Sequence, residues 1–234
     1  MLTLIGWIDG ITASGVLIFG FLFGFFFIYK SKKTTAKILI ALGLATLFAG
    51  LVFLGVFLDF VIVLISGVNM DNSNGLVGIL SYIWLAPAII TAIYIGSKLL
   101  VPKLKWVIIS LFIVLSIFFY VIIFTDPFAA FNFDYPAIPG ELLIDYNTII
   151  MSTAGMLMAL FLLSTIVLLG FGFLIKSFQS TGVLRKKFLL LSLGAIFFCV
   201  FGLLEGLTAP GLMVIFVRIG YLASFWFMYY GLKD

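Results

Sequence analysis

Seven apolar runs separated by short polar clusters divide this chain. A helix needs about twenty apolar residues to cross a hydrocarbon core roughly 30 Å thick, and each run meets that length. They lie near 7-29, 38-60, 76-97, 105-124, 149-175, 187-207 and 211-231. The pattern predicts an all-α membrane protein, one domain over 1-234, built as a seven-transmembrane-helix bundle.

Breaks within the runs add detail. Pro87 lies near the middle of the third run; its ring removes one backbone hydrogen bond and frees the Ile83 carbonyl, which predicts a kink. Ser81, Trp84, Ala88 and Thr91 share a face of that helix and should meet protein rather than lipid. Thr148, Ser152, Gly155 and Ala159 form a similar small-residue stripe on the fifth. Gly20-X-X-X-Gly24 and Gly202-X-X-X-Gly206 are spaced for close helix packing. The Phe25-Phe26-Phe27 and Phe197-Phe198 pairs and triplets read as lipid-facing or core filler.

Two connections carry distinctive chemistry. Ser66 to Gly75, SGVNMDNSNG, is rich in residues that hydrogen-bond locally or adopt positive φ. Thr125 to Asn147 combines four acids with aromatics and prolines, so it should fold back over the bundle or lie at headgroup level, as a lid or as a lipid anchor. Pro139 suits the first turn of a helix and Glu141 its positive end, which predicts a short interfacial helix from Pro139 to Tyr146.

Charge orients the bundle. Twelve of the thirteen basic residues flank the ends of runs on one alternating set of connections, and eight of the nine acidic residues fall on the other set. Positive-inside orientation then places the N-terminus outside and the C-terminus in the cytoplasm of a multi-pass cell-membrane protein. The first run is not read as a cleaved signal peptide, because nothing basic precedes it and Lys30, Lys32 and Lys33 follow it. The net charge of +4 reflects lysines beside membrane ends, suited to anionic headgroups, and implies no nucleic acid.

Composition narrows the chemistry. At 65% apolar and 9% charged, the chain departs from soluble proteins, which are about half apolar and a quarter charged. It has no histidine, which removes imidazole relays, histidine metal sites and the Ser-His-Asp triad together. The acids are scattered rather than grouped for a carboxylate metal site, so neither a cofactor nor an enzymatic activity is expected. The lone cysteine, Cys199, reads as a small apolar packer. The last run lacks the lysine a retinal Schiff base requires. Neither an Asp/Glu-Arg-Tyr sequence after the third run nor an Asn-Pro-X-X-Tyr in the seventh is present.

Arg218 is the exception to the charge pattern. Counting from the start of the seventh run, it lies about 10 Å below the outer surface, where a lone charge costs at least a few kcal/mol without a partner. Glu205, about 27 Å along the sixth helix, reaches the outer edge of the core, as do Asp59 and Asp9. Glu205 is the favoured partner, because the connection from Leu207 to Pro210 is tight. On a structural reading Arg218 staples adjacent helices or snorkels to the interface. On a functional reading it lines a pocket open to the outside and binds an anionic or polar ligand.

Residues 80-106 (LSYIWLAPAIITAIYIGSKLLVPKLKW), PAIPGELLID at 136-145, STGVLRKKFLLLSLG at 180-194 and FVRIGYLASFWFMYYGL at 216-232 resemble a group of uncharacterised archaeal seven-helix membrane proteins, a resemblance that implies a fold and no activity. The last three helices, with their Arg185-Lys186-Lys187 entry and Tyr230-Gly231-Leu232 end, are loosely similar to seven-helix input modules of sensor kinases. Those modules continue into a signalling domain, whereas this chain stops at Asp234.

These observations lead to a non-enzymatic receptor- or sensor-like protein that binds a small or lipidic ligand in an outward-facing cavity. Arg218, Glu205 and Asp59 would form the polar lining, with Trp84 and Tyr82 as walls. Membrane lipids and a separate signalling protein are the other expected partners. The alternatives are a transporter or channel component and a structural lipid-organising protein. A transport path needs polar residues through the inner half as well, and 15-27, 41-48 and 189-198 are nearly devoid of them.

Overall fold

The computed structural model describes residues 1–206, 208 and 212–233. Among these, six helices are long and apolar enough to cross a membrane, or seven if a bent pair counts as one span. This marks a multi-pass membrane protein. The expected connection from Leu207 to Pro210 and the helix entry at Gly211 lie largely outside the described residues.

Helix α1 (Leu4–Thr34) begins at Thr3, whose hydroxyl accepts from the Gly6 amide, and ends in a turn carrying Lys32 and Lys33. The second apolar run is helical beyond its expected 38-60 and is bent by 45° between α2 (Ile38–Leu51) and α3 (Leu54–Ser66). The Gly55 amide at the bend donates to Ser81 Oγ at 3.2 Å, a side chain inserted into the helix ladder. Close packing on α1 explains how α2 approaches. A Cβ on Gly20 would lie 2.6 Å from the Gly50 Cα, so only glycine permits that contact.

The third apolar run divides into α4 (Leu76–Tyr82) and α5 (Leu85–Leu100). The break has the origin assigned to Pro87. The Ile83 carbonyl, which a residue-87 amide would otherwise satisfy, accepts from Tyr120 Oη at 2.6 Å. Tyr120 belongs to α6 (Lys105–Thr125), which packs on α5 and leaves a long apolar face exposed from Trp106 to Phe124.

The connection after α6 differs from expectation. A single turn, α7 (Pro127–Ala130), is capped by the Asp126 side chain and leads into β1 (Phe131–Asp134). Strand β1 pairs antiparallel with β2 (Asp145–Thr148), bringing Asp134 opposite Asp145. No helix forms over Pro139–Tyr146. Gly140 takes φ +79° against the Gly67 carbonyl, and Asn69 and Asp59 bind the backbone of residues 140, 142 and 144 individually, which replaces a helical ladder. The stripe from Thr148 to Ala159 is likewise not one helical face. Thr148 ends β2, and Ser152 caps α8 (Thr153–Thr165) by accepting from the Gly155 amide at 3.0 Å.

A π turn at Ile166–Gly170 joins α8 to α9 (Phe171–Phe178), and Ser192 Oγ donates to the Gly170 carbonyl there at 2.8 Å. Helices α10 (Gly182–Glu205) and α11 (Leu212–Leu232) follow. Helix α11 packs on α10 and α1, α1 on α2, α2 on α5, and α5 on α8, which meets α10 to close a ring. The basic clusters lie at one end of this ring. The hairpin lies over the other, acidic end.

Candidate functional site at the acidic end

Arg218 reaches from α11 into the ring and is 4% exposed. Its Nη1 donates to the Asp9 carbonyl at 2.6 Å and to Thr12 Oγ1 at 3.0 Å, and it pairs with the Asp9 carboxylate. Asp9 and Thr12 are three residues apart on α1, so they present one face to the guanidinium. Nε donates to Glu205 Oε1 at 3.4 Å, a longer contact. The guanidinium carbon lies 5.5 Å from the centre of the Phe53 ring, supplied by the bend between α2 and α3. Charge pairing and desolvation therefore meet on three elements distant in sequence. Among the described residues, Glu205 Oε2 is buried without a hydrogen-bond partner.

Beside this cluster is a chamber of about 60 Å³, lined by Tyr82, Asp145, Tyr146, Glu205, Arg218 and Tyr221 among others. The Tyr82 hydroxyl is 3.2 Å from Thr148 Oγ1, and its ring stacks on Phe131 at 4.8 Å and meets Tyr146 edge-on at 5.8 Å. The hairpin thus supplies one wall. Gly202 and Gly206 also line the chamber; a Cβ on Gly202 would meet nothing closer than 3.5 Å, so this glycine pair opens space rather than drawing helices together.

A second crevice of about 90 Å³ adjoins the chamber, sharing Asp145 and Val214 with it, and is also lined by Asp9, Asp134 and Tyr135. Burial, then the neighbouring Asp9 and Asp134 carboxylates, push the Asp145 carboxyl up to about 6. Burial also holds the Tyr146 hydroxyl well above the usual tyrosine range. Below the chamber, Val52, Leu85, Leu162 and Phe198 form a shared floor with an apolar cavity of about 60 Å³. Thr46 and Thr165 are the hydroxyl groups lining that lower cavity.

The structure brings three of the expected site residues together, Arg218, Glu205 and Tyr82. Asp59 does not join them. It is fully buried and accepts from the Met70 and Ile144 amides, each at 2.8 Å, and from Asn69 Nδ2 at 3.0 Å. Its position on α3 faces the connections, so it holds them down instead of lining the chamber. Trp84 also lies elsewhere, stacked on Phe48 at 6.1 Å, because the break at residues 83–84 turns it away from Tyr82. Tyr221 and Thr12 were legible as the i+3 neighbours of Arg218 and Asp9, whereas Asp145 and Tyr146 depend on a strand pairing that no periodicity announced. Among the described residues no group of three or more histidines, cysteines or acids is placed to hold a metal ion.

Comparison with known protein families, with curated proteins and with solved structures finds no match to this chain.

Proposed function

We propose that this is a seven-span protein of the cell membrane, with the N-terminus outside and the C-terminus cytoplasmic, that acts as a receptor- or sensor-like, non-enzymatic binder of a small ligand. In this orientation the acidic end faces outward and the lysine-rich end meets the anionic inner leaflet. The bent α2–α3 pair is then one span, which gives the seventh crossing. One observation carries the reading: the buried Arg218 cluster borders a chamber that adjoins an outer crevice on one side and meets apolar side chains on the other.

The chamber is well below the ~300–1,000 Å³ of drug-sized pockets, so its occupant has only a few heavy atoms and is not a whole lipid. A transport path is less well supported. The polar lining stops at Phe198 and Leu162, and the cavity beneath them is apolar. A separate protein would receive the signal.

Gly202→Leu places a side chain in the chamber without removing a charged group. Mass spectrometry of molecules retained by protein purified from native membrane should find a small molecule with the wild type and not with Gly202→Leu. Equal retention by both, or none by either, rejects the proposed chamber as a ligand site.

A further inference from the structure

The charge around the chamber identifies the class of ligand it suits. Arg218, its single cationic side chain, is already matched by Asp9 on α1 and also contacts Glu205 on α10. With all three ionised the cluster carries a net charge of one minus two, or −1. Asp145 lines both the chamber and the crevice, and Asp134 and Asp9 line the crevice. On the wider face, eight of the nine acidic residues stand against Arg218 as the one basic side chain. A recess lined by one sign of charge with low-dielectric walls concentrates ions of the opposite sign, so cations are drawn in and anions are turned away.

The walls specify the kind of cation. Phe53, Tyr82, Tyr146, Phe198 and Tyr221 supply aromatic surface, and the Phe53 ring already lies against the guanidinium. Aromatic rings with one or two carboxylates suit an organic ammonium group, which retains attraction to π surfaces where a small metal ion demands several oxygen ligands. The Tyr221 hydroxyl lies beside the Glu205 carboxylate, and among the described residues Glu205 Oε2 has no hydrogen-bond donor of its own. Val52, Leu85 and Leu162 below would meet a short alkyl group.

We propose that the chamber takes a small organic ammonium ion, admitted past Asp9, Asp134 and Asp145 and held between Glu205 and the surrounding tyrosines. This rests on the chamber being a ligand site and reverses the anionic preference that Arg218 alone suggests. Arg218 then acts as a positioning residue: it fixes Asp9 and Glu205 without meeting the ligand through its own charge.

The test uses the full chain in lipid nanodiscs at pH 7.5, titrated with ethylammonium chloride or sodium acetate and read by saturation-transfer NMR. Ethylammonium should bind saturably, and Glu205→Gln, Asp145→Asn and Gly202→Leu should each weaken it about tenfold or more, as expected for a desolvated charge contact or a filled site. Glu141→Gln, outside both cavities, should leave it unchanged. Should Glu205→Gln not fold, the other two variants decide. Ethylammonium binding that all three leave intact overturns the site. Acetate binding that Gly202→Leu abolishes overturns the ammonium class while the ligand chamber stands. Binding of neither probe also overturns the ammonium class, and co-purification then judges the chamber independently.

Discussion

Arg218 Nη1 donates to the main-chain carbonyl of Asp9, 209 residues away, while pairing with that residue's carboxylate. The bond ties α11 to α1 and leaves Glu205 the more distant carboxylate partner at 3.4 Å. Removing one member of a buried pair strands the other charge and costs about 3–5 kcal/mol. Arg218→Gln should therefore lower the thermal unfolding temperature sharply. Asp9→Asn should cost less, since the carbonyl and Glu205 still engage the guanidinium. Equal, negligible effects of both substitutions would show that the pair contributes nothing to stability.

Tyr120 and Pro87 should be coupled. Tyr120→Phe strips the Ile83 carbonyl of its donor, at a cost of about 1–3 kcal/mol for a buried acceptor left unsatisfied. Pro87→Ala supplies a backbone amide four residues after Ile83, so Tyr120→Phe should cost less in that background. A double-mutant cycle on unfolding in detergent measures this, and strictly additive effects would disprove the coupling.

Asp59 anchors the connections at the acidic end. Its carboxylate accepts three hydrogen bonds from residues 69, 70 and 144. Asp59→Ala should raise hydrogen exchange of the Met70 and Ile144 amides while α6, which it does not touch, stays protected. Unchanged exchange at both amides would mean the connections are held by other contacts.

The hairpin should respond to pH through Asp145. Burial and the facing Asp9 and Asp134 raise its carboxyl from 3.8 to about 6, with Arg218 opposing them. A raised carboxyl binds its proton more tightly in the folded state, so this contribution is complete below about pH 4 and is lost as pH rises through about 6. Allowing for partial exposure, the difference is on the order of 1–2 kcal/mol. Unfolding measured from pH 4 to 7.5 should show wild type losing ground relative to Asp145→Asn as pH rises. A constant difference between them would contradict this.

Long apolar runs bounded by lysines made the spans readable, because desolvation acts on composition over a whole segment. Pro87 and Ile83 were readable because proline's missing amide acts locally. Gly20 and Gly202 show where local spacing fails. Both begin the same Gly-X-X-X-Gly motif, yet one meets Gly50 and the other opens a chamber, since the neighbouring helix decides. The hairpin was hidden because each strand has four residues, and its pairing needs Gly140 at positive φ, Asp59 from α3 and Asn69 from another connection. Glu205 was favoured over Asp9 for its nearness in sequence, whereas the ring closes α11 onto α1.

As proposed, the chamber is open to the outside and closed from within. Val214 lines both the chamber and the crevice, and Thr46 lines the apolar cavity beneath. With Cys199→Ala as background, intact cells carrying Val214→Cys or Thr46→Cys can be treated with a membrane-impermeant cationic thiol reagent. Val214→Cys should be modified from the outside, and Thr46→Cys from neither side. Modification of Val214→Cys only from the cytoplasmic face, or not at all, would rule out an outward-opening chamber.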